Sequence, residues 1–518
     1  MQGERYVNRC FELKEQVKMM LDEEVDWLTH LQLIDDLQRL GVAYHFQDKI
    51  QWILSRVHNE NHKGIVSREK DLYAKALEFR LMREHGFDVT QEVFNCFKNE
   101  RGNFNPNLCK DIKGMLCLYE ASYLLIGNES TMELAREFTS KCLKNFLDPE
   151  EIGEQLLQLV QHSLELPLHW RMPRLEARWF INVYEKRADR NSTLLEFAKL
   201  DFNIVQATHQ DDLKYASRWW RSTCLAEKLN FARDRLVENF FWTIGVNFDP
   251  QHGYCRRIST KVNALITTID DIYDVYGTLD ELKLFTDAVQ RWDVEVMDQL
   301  PDYMKICYFA LFNSSNEMAY DVMKEQGVHI IPYLRKAWAD LCKAYMQEAK
   351  WYHSGYKPTL QEYLENAWIS IAAPVILVHA YFLVTNPIKK EALECLEDRY
   401  HNIIRCSAMI LRLADDLGTS SDELKRGDVP KSVQCYMTEH GASEEVAREY
   451  TRCLIGEIWK QMNKERAADS PFTKTFVKMA MNLGRMAQCM YQHGDGHGHS
   501  NSHTKNRIQS LLFEPIGL

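Results

Sequence analysis

The stretch Ala264-Leu265-Ile266-Thr267-Thr268-Ile269-Asp270-Asp271-Ile272-Tyr273-Asp274 runs from apolar residues into three carboxylates within five positions. Wound as a helix, it places Asp270 and Asp274 only about 40° apart around the axis, on one face. No lysine, arginine or histidine stands within four positions of these acids, so the like charges repel unless something compact and positive sits between them. Oxygen-only ligands suit Mg2+, which takes a few carboxylates and completes its shell with substrate phosphates. A solvated helix face that carries acids by chance is the plain alternative, and this stretch alone leaves both open.

Working outward, a helical period dominates the chain. Leu13, Val17, Met20 and Leu21 form an apolar stripe among lysines and glutamates, and Gly41 follows Leu37 and Leu40 as a helix stop. Alternating strand patterns bounded by Asn-Gly or Asp-Gly turns do not occur, so the fold class is all-α. A length of 518 residues exceeds one ordinary core and predicts two large domains. The polar run from Tyr184 to Ser192 reads as their connection. Thr193 with Glu196 then offers a capping box, and Phe197, Leu200 and Ile204 open a new stripe. We place the domains at 1–189 and 190–518. No repeat of about 30–45 residues recurs, which disfavours a helical solenoid.

The 63 basic residues are outweighed by 74 acidic ones, a net charge of −11. That argues against a general nucleic-acid binder while leaving room for a local basic pocket. Fourteen cysteines without C-x-x-C spacing read as reduced thiols, mostly small core residues, rather than zinc ligands. The longest apolar run, 370–384, contains Pro374 and His379; it is short for a bilayer span and predicts a buried, proline-interrupted helix. Neither an apolar signal core nor a Ser/Arg-rich transit stretch opens the sequence. The Gly- and His-rich segment from His493 to His503 predicts a mobile loop between two late helices, with a zinc site as its lesser reading.

A second acidic cluster changes the weight of the first. Asp415, Thr419 and Glu423 stand four residues apart, and steps of four drift only about 40° each, so three oxygen side chains line one face over two turns. That is a plausible second Mg2+ site, against the plainer reading of a helix end with acids near it. Arg233 and Arg235 precede Asp270, Arg412 lies one turn before Asp415, and Lys431 follows in Val429-Pro430-Lys431. A guanidinium fork suits bidentate phosphate contacts. Singly each of these is an ordinary surface charge; their conjunction is harder to dismiss.

Together the Asp270–Asp274 motif, the Asp415/Thr419/Glu423 triplet and the Arg233-x-Arg235 pair resemble plant class I terpene synthases, closest to the angiosperm monoterpene synthase branch of limonene, pinene and terpineol synthases. The likeness continues through 275–282, Arg291-Trp292-Asp293 and 426–431, and it covers essentially the whole chain. It implies a C-terminal class I α-barrel with both metal motifs at the mouth of an apolar cavity, and an N-terminal helical barrel that is not catalytic. By the same resemblance Asp270, Asp271 and Asp274 hold two Mg2+ ions and Asp415, Thr419 and Glu423 a third, with Mn2+ as a possible substitute. Arg233, Arg412 and Lys431 bind diphosphate with Arg235 near it, and Trp242 and Tyr345 wall the cavity. Ser370-Ile371-Ala372-Ala373-Pro374 matches the helix break whose freed carbonyls steer the cation. Tyr491, Asp495 and His497 belong to a loop that closes once diphosphate binds, with His497 or diphosphate itself as the final base.

Two departures qualify the likeness. Cyclising members usually carry an Arg-Arg pair followed eight residues later by Trp near the N-terminus; this sequence begins after that point, so either it is truncated or clean cyclisation is in question. No D-x-D-D motif occurs in the N-terminal half, so protonation-initiated chemistry is not expected. The leading expectation is Mg2+-dependent ionisation of geranyl diphosphate to a monoterpene, a cyclic olefin or alcohol. An acyclic product such as linalool, a sesquiterpene from farnesyl diphosphate, and isoprene are the alternatives with the same chemistry. Asn263 and Leu411 stand where isoprene-forming relatives narrow the pocket with phenylalanine, which favours a larger substrate. A prenyl-chain-elongating transferase and an inactive helical scaffold are the remaining readings. The resemblance further implies a plastid enzyme (cytosol as alternative), a monomer or weak homodimer, and no nucleic-acid or membrane partner.

Overall fold

The computed structural model describes residues 2–23, 25–62, 71–145, 153–397, 399–426, 429–498 and 502–518, without the side chains of 2–4, 61–62 and 421–426. Among these residues there are 23 α-helices and no strand; the β-type contact is an isolated bridge between Lys98 and Phe104. The helices arise where apolar stripes were read. Leu13, Val17 and Leu21 are buried on the helix Gln2–Asp22, while Met20 is only half-buried. Gly41 stops the next helix at φ +78°, and a Cβ there would meet the Ala177 Cβ at 2.7 Å, so only glycine fits both the turn and the packing.

The chain forms two compact units. One comprises Met1–Gln206, Arg466–Ala468 and Glu514–Leu518; the other comprises Ala207–Glu465 and Asp469–Phe513. The division falls inside the long helix Ser192–Thr223. That helix is not opened by the expected Thr193–Glu196 box. Asn191 caps it instead, its Oδ1 accepting the Thr193 and Leu194 N–H groups at 3.0 and 3.1 Å, while Glu196 is turned to the Arg9 guanidinium at 2.8 Å. Asparagine at the cap reaches the free N–H groups directly, so the box has nothing left to satisfy.

In the first unit, Cys109 is disulfide-bonded to Cys142, which corrects the reading of all fourteen cysteines as thiols. The partners are 33 residues apart in sequence, and it is the fold that sets the Pro106–Lys110 turn beside the helix Ser130–Asn145. The expectation of small core residues holds for the buried thiols Cys117, Cys255, Cys307, Cys342, Cys406, Cys435 and Cys489.

In the second unit, five helices close a ring. Leu236–Val246 packs on Gly253–Asp271, which packs on Ala373–Val384; that helix packs on Asn402–Arg426, which meets Lys474–Tyr491, and Lys474–Tyr491 returns to Leu236–Val246. Ala373–Val384 is apolar almost all round, as a helix inside a core must be. The stretch Leu360–Val384 is long and apolar enough to cross a membrane by composition, but its most apolar part is mostly buried and it is broken in two. Leu360–Ser370 ends at Ile371, Ala372 adopts φ +63°, and Pro374 sits in the first turn of the second helix, where its missing N–H costs nothing. Inside this helix His379 donates from Nδ1 to the Val375 carbonyl and accepts the Trp338 indole N–H at Nε2; burial pushes its pKa down to about 4.

Candidate active site

The helix Gly253–Asp271 passes without interruption into a π-turn, Ile272–Tyr276, which widens the spiral just where the acids lie. The turn is closed by the Gly277 N–H on the Ile272 carbonyl at 2.8 Å. A Cβ at Gly277 would sit 2.9 Å from that carbonyl and 2.7 Å from Leu282, so glycine is required. The three carboxylates then part company. Asp271 is buried, 1% exposed, and both its oxygens are taken by one residue: the Arg233 backbone N–H at 2.6 Å and the Arg233 Nε at 2.7 Å. Asp270, half-buried, accepts the Arg233 Nη2 at 2.7 Å and lies beside the Tyr345 phenol, whose ionisation it opposes. Asp274 is open to solvent yet surrounded by protein, the condition of a group lining a concave mouth. That desolvation, and then Asp270, push its carboxyl well above the usual range, while Lys431 opposes them.

The second cluster lies on the helix Asn402–Arg426 and repeats this arrangement. Arg412 Nε donates to Asp416 Oδ1 at 2.9 Å, and its Nη2 is paired with Asp415 Oδ2. Asp416 is fully buried; the same Oδ1 accepts the Tyr363 hydroxyl at 2.9 Å and its Oδ2 the Ser432 N–H at 3.1 Å. Thr419 is buried one turn on, its hydroxyl donating to the Asp415 carbonyl at 3.0 Å. Glu423 belongs to this helix by its backbone, and its side chain lies outside the described residues, as do Gly427 and Asp428 of the 426–431 motif. Lys431 opens the helix Ser432–His440 with its Nζ 3.9 Å from Glu348 Oε2. Glu348 also accepts the Ser370 hydroxyl at 2.6 Å, which ties it to the helix break.

Trp242 is buried on Leu236–Val246, with its ring 6.1 Å from Tyr491 and 6.3 Å from His497. Its indole N–H donates to His497 Nδ1 at 3.3 Å. Asp495 Oδ1 accepts the N–H groups of His497 and Gly498 at 2.9 and 2.7 Å, and Gly496 has no room for a Cβ, which would fall 2.2 Å from the Met490 carbonyl. Arg235 does not face the acids: it donates to the carbonyls of His497 and Gly498 at 3.2 and 3.1 Å, binding this turn to the loop that carries Arg233. His499, Ser500 and Asn501 lie outside the described residues.

The structure thus gathers Asp270, Asp271, Asp274, Arg233, Tyr345 and Lys431 around one mouth, and Arg412, Asp415, Asp416 and Thr419 on the second helix. Among the described residues no three His, Cys, Asp or Glu side chains converge on one point. The donors are all oxygen and stand in separate banks; this fits small hard cations that share their shell with substrate oxygens, and fits an all-protein metal cage badly. Three residues escaped the sequence reading: Asp416, Tyr363 and Glu348. The doubling of aspartate at 270–271 and at 415–416 was the one signal that pointed to the first of them.

The family profile of the terpene synthase metal-binding domain matches residues 221–461, and that of the terpene synthase N-terminal domain matches 1–164. A chloroplastic linalool synthase of Coffea arabica is 66% identical over 516 residues, covering 99% of this chain and 86% of the relative. The chain belongs to the terpene synthase family. Among solved structures, a limonene synthase with 2-fluorolinalyl diphosphate is 51% identical at TM-score 0.96, covering 99% of this chain and 95% of that one. The isoprene synthase of grey poplar (Populus x canescens), in complex with three Mg2+ ions and dimethylallyl-S-thiolodiphosphate, is 49% identical at TM-score 0.94, covering 99% and 97%. This terpene synthase therefore has the two-domain α fold of the family, with a metal-binding domain that holds both acidic clusters.

Proposed function

We propose that this terpene synthase ionises geranyl diphosphate in a Mg2+-dependent reaction, releasing diphosphate and forming a monoterpene through carbocations. The observation that carries the reading is the pair of oxygen-donor banks, each with an arginine bound to an Asp-Asp doublet. Linalool and limonene synthases among the similar proteins support the ten-carbon substrate. Asn263 and Leu411, both buried and smaller than phenylalanine, favour it over the five-carbon one.

In this reading Asp270 and Asp274 hold metal from the first bank, and Asp415, Thr419 and Glu423 from the second, with three Mg2+ as in the isoprene synthase complex and Mn2+ as a substitute. When bound at these side chains, such ions would neutralise charge developing on the departing diphosphate. Arg233, Arg412 and Lys431 add fixed positive charge toward the same oxygens, in a site whose partners are already oriented. Asp271 serves the anion indirectly, by holding Arg233 at its backbone and its Nε. Trp242 and Tyr345 present ring faces to the cation, a contact of about 1–2 kcal/mol when desolvated. Because His497 Nδ1 accepts the Trp242 N–H, the neutral imidazole carries its proton on Nε2 and is a donor there. Burial, and then Arg233, push its pKa down to about 4. Diphosphate is therefore the better final base. Residues 190–518 carry the chemistry and 1–189 do not; the chloroplastic relative supports a plastid enzyme, with the cytosol as alternative.

Incubating the purified chain with geranyl, farnesyl and dimethylallyl diphosphates in Mg2+, in Mn2+ and in chelator, and then separating the volatiles by gas chromatography, tests this. A ten-carbon product that chelation abolishes is expected. Volatiles from farnesyl diphosphate alone would move the substrate to fifteen carbons, and none from any substrate would leave the scaffold reading. The product skeleton, cyclic or acyclic, is read from the same chromatogram.

A further inference from the structure

Arg233 is carried by a loop between the short helix Leu225–Lys228 and the helix Leu236–Val246, whereas the acids it meets stand on another segment. Two residues before it, the Phe231 ring lies flat on Tyr276, two residues after Asp274, with centroids 4.0 Å apart and planes 2° from parallel. Tyr303 stands edge-on against both, at 5.9 Å and 87° from Phe231 and at 5.0 Å and 86° from Tyr276. The Tyr303 hydroxyl donates to Glu281 Oε2 at 3.1 Å, and that same oxygen accepts the Thr278 N–H and hydroxyl at 3.0 and 2.8 Å. Three segments meet in this cluster: the Arg233 loop, the π-turn that ends in Tyr276, and the first turn of the helix Asp302–Gln326.

Tyr276 is 54% exposed, so its ring buries too little surface to matter much to folding. What it fixes is geometry. Offset and edge-to-face ring contacts set both separation and angle, and here they tie the backbone on either side of the Arg233–Asp270 and Arg233–Asp271 bonds. We propose that Phe231, Tyr276 and Tyr303 form an aromatic staple that sets the Arg233 loop against the Asp270–Asp274 turn, which makes Phe231 and Tyr276 positioning residues for diphosphate ionisation. The staple rests on the reading of Arg233 as a diphosphate ligand.

The test uses the full chain with geranyl diphosphate and Mg2+. Tyr276→Leu is expected to lower kcat/KM about tenfold or more, since a shift of an ångström in a charged clamp is costly, and to raise the Mg2+ concentration for half-maximal rate. Tyr276→Phe, which keeps the ring, retains the wild-type values, and Phe231→Leu repeats the loss from the other side. The unfolding midpoint of each variant stays near that of the wild type. In an Arg233→Lys background, Tyr276→Leu causes little further loss, because both changes act on one arrangement. Equal losses in both backgrounds, or unchanged kinetics of Tyr276→Leu beside an impaired Arg233→Lys, would overturn the staple alone. An Arg233→Lys enzyme with unaltered kinetics would overturn the diphosphate role of Arg233 and the staple's purpose with it.

Discussion

The two acidic arms of the site use the same wiring and differ in how they are supported. In each, an arginine gives its Nε to the second aspartate of a doublet and its Nη2 to the first: Arg233 with Asp271 and Asp270, Arg412 with Asp416 and Asp415. The second aspartate is buried in both, at 1% and 0% exposure. In the second arm, arginine and acids lie three and four positions apart on one helix, so the backbone alone brings them together. In the first arm the arginine comes from a loop 37 and 38 residues away, and its side chain is 32% exposed against 7% for Arg412. One arm is preorganised by its helix. The other depends on tertiary contacts, which is where the Asp271 bond to the Arg233 backbone and the aromatic staple enter.

The largest effects separate the arms by stability rather than by activity. Asp270→Ala, Asp274→Ala and Asp271→Ala are each expected to cut kcat/KM by at least about a hundredfold, the scale of losing one preorganised group that stabilises transition-state charge. Urea midpoints of all three should stay close to the wild type, since half-exposed Arg233 recovers water. Asp416→Ala leaves the buried Arg412 without its Nε partner and should cost about 3–5 kcal/mol of stability besides activity. Equal loss of stability in Asp271→Ala and Asp416→Ala would remove the asymmetry.

Histidines divide in a related way. The buried core imidazole of His379 and the half-buried loop imidazole of His497 both have pKa values pushed down to about 4, chiefly by burial. Since the unfolded chain binds these protons near pH 6.5, their contribution to stability is complete above that pH and is lost as the pH falls towards about 4. Urea unfolding followed from pH 7 to 4 should show the decline. His379→Gln keeps a neutral donor and acceptor in the core and should flatten the slope by up to about 1.4 kcal/mol per pH unit. An unchanged slope would show that the core imidazole is not the group that titrates.

How much of this was legible depends on whether the cause was local. Asp270 with Asp274, and Asp415 with Thr419, were visible because a spacing of four survives translation into a helix. The all-α class followed from stripes such as Leu13, Val17 and Leu21 for the same reason. Asp416 was hidden because it looks like its neighbour until burial distinguishes them. The turn of Arg235 towards the His497 and Gly498 carbonyls, and the link of Glu348 to Lys431 and Ser370, depend on segments brought together by the ring of helices. Asn191 outcompeting Thr193 as a cap, and the Cys109–Cys142 bond, were missed for opposite reasons: the first turns on two residues of register, the second on a contact 33 residues away.

The smallest expected effect is also the most direct probe of the difference between the arms, because each arm has one tyrosine on a carboxylate. Tyr363 donates to Asp416 where neither group meets water; the Tyr345 phenol stands beside Asp270, which is half open. Deleting a hydroxyl is costly only if the acceptor left behind has no substitute donor. Tyr363→Phe should therefore lower stability by about 1 kcal/mol, with turnover reduced only several-fold, as Asp416 keeps Arg412 and the Ser432 N–H. Tyr345→Phe should stay within about 0.5 kcal/mol of the wild type, because water takes the place of the phenol at Asp270 and the ring face is retained. The two urea midpoints, measured side by side, decide it. If Tyr345→Phe is the more destabilising of the pair, the first arm is as dry as the second, and the need for a staple across it disappears.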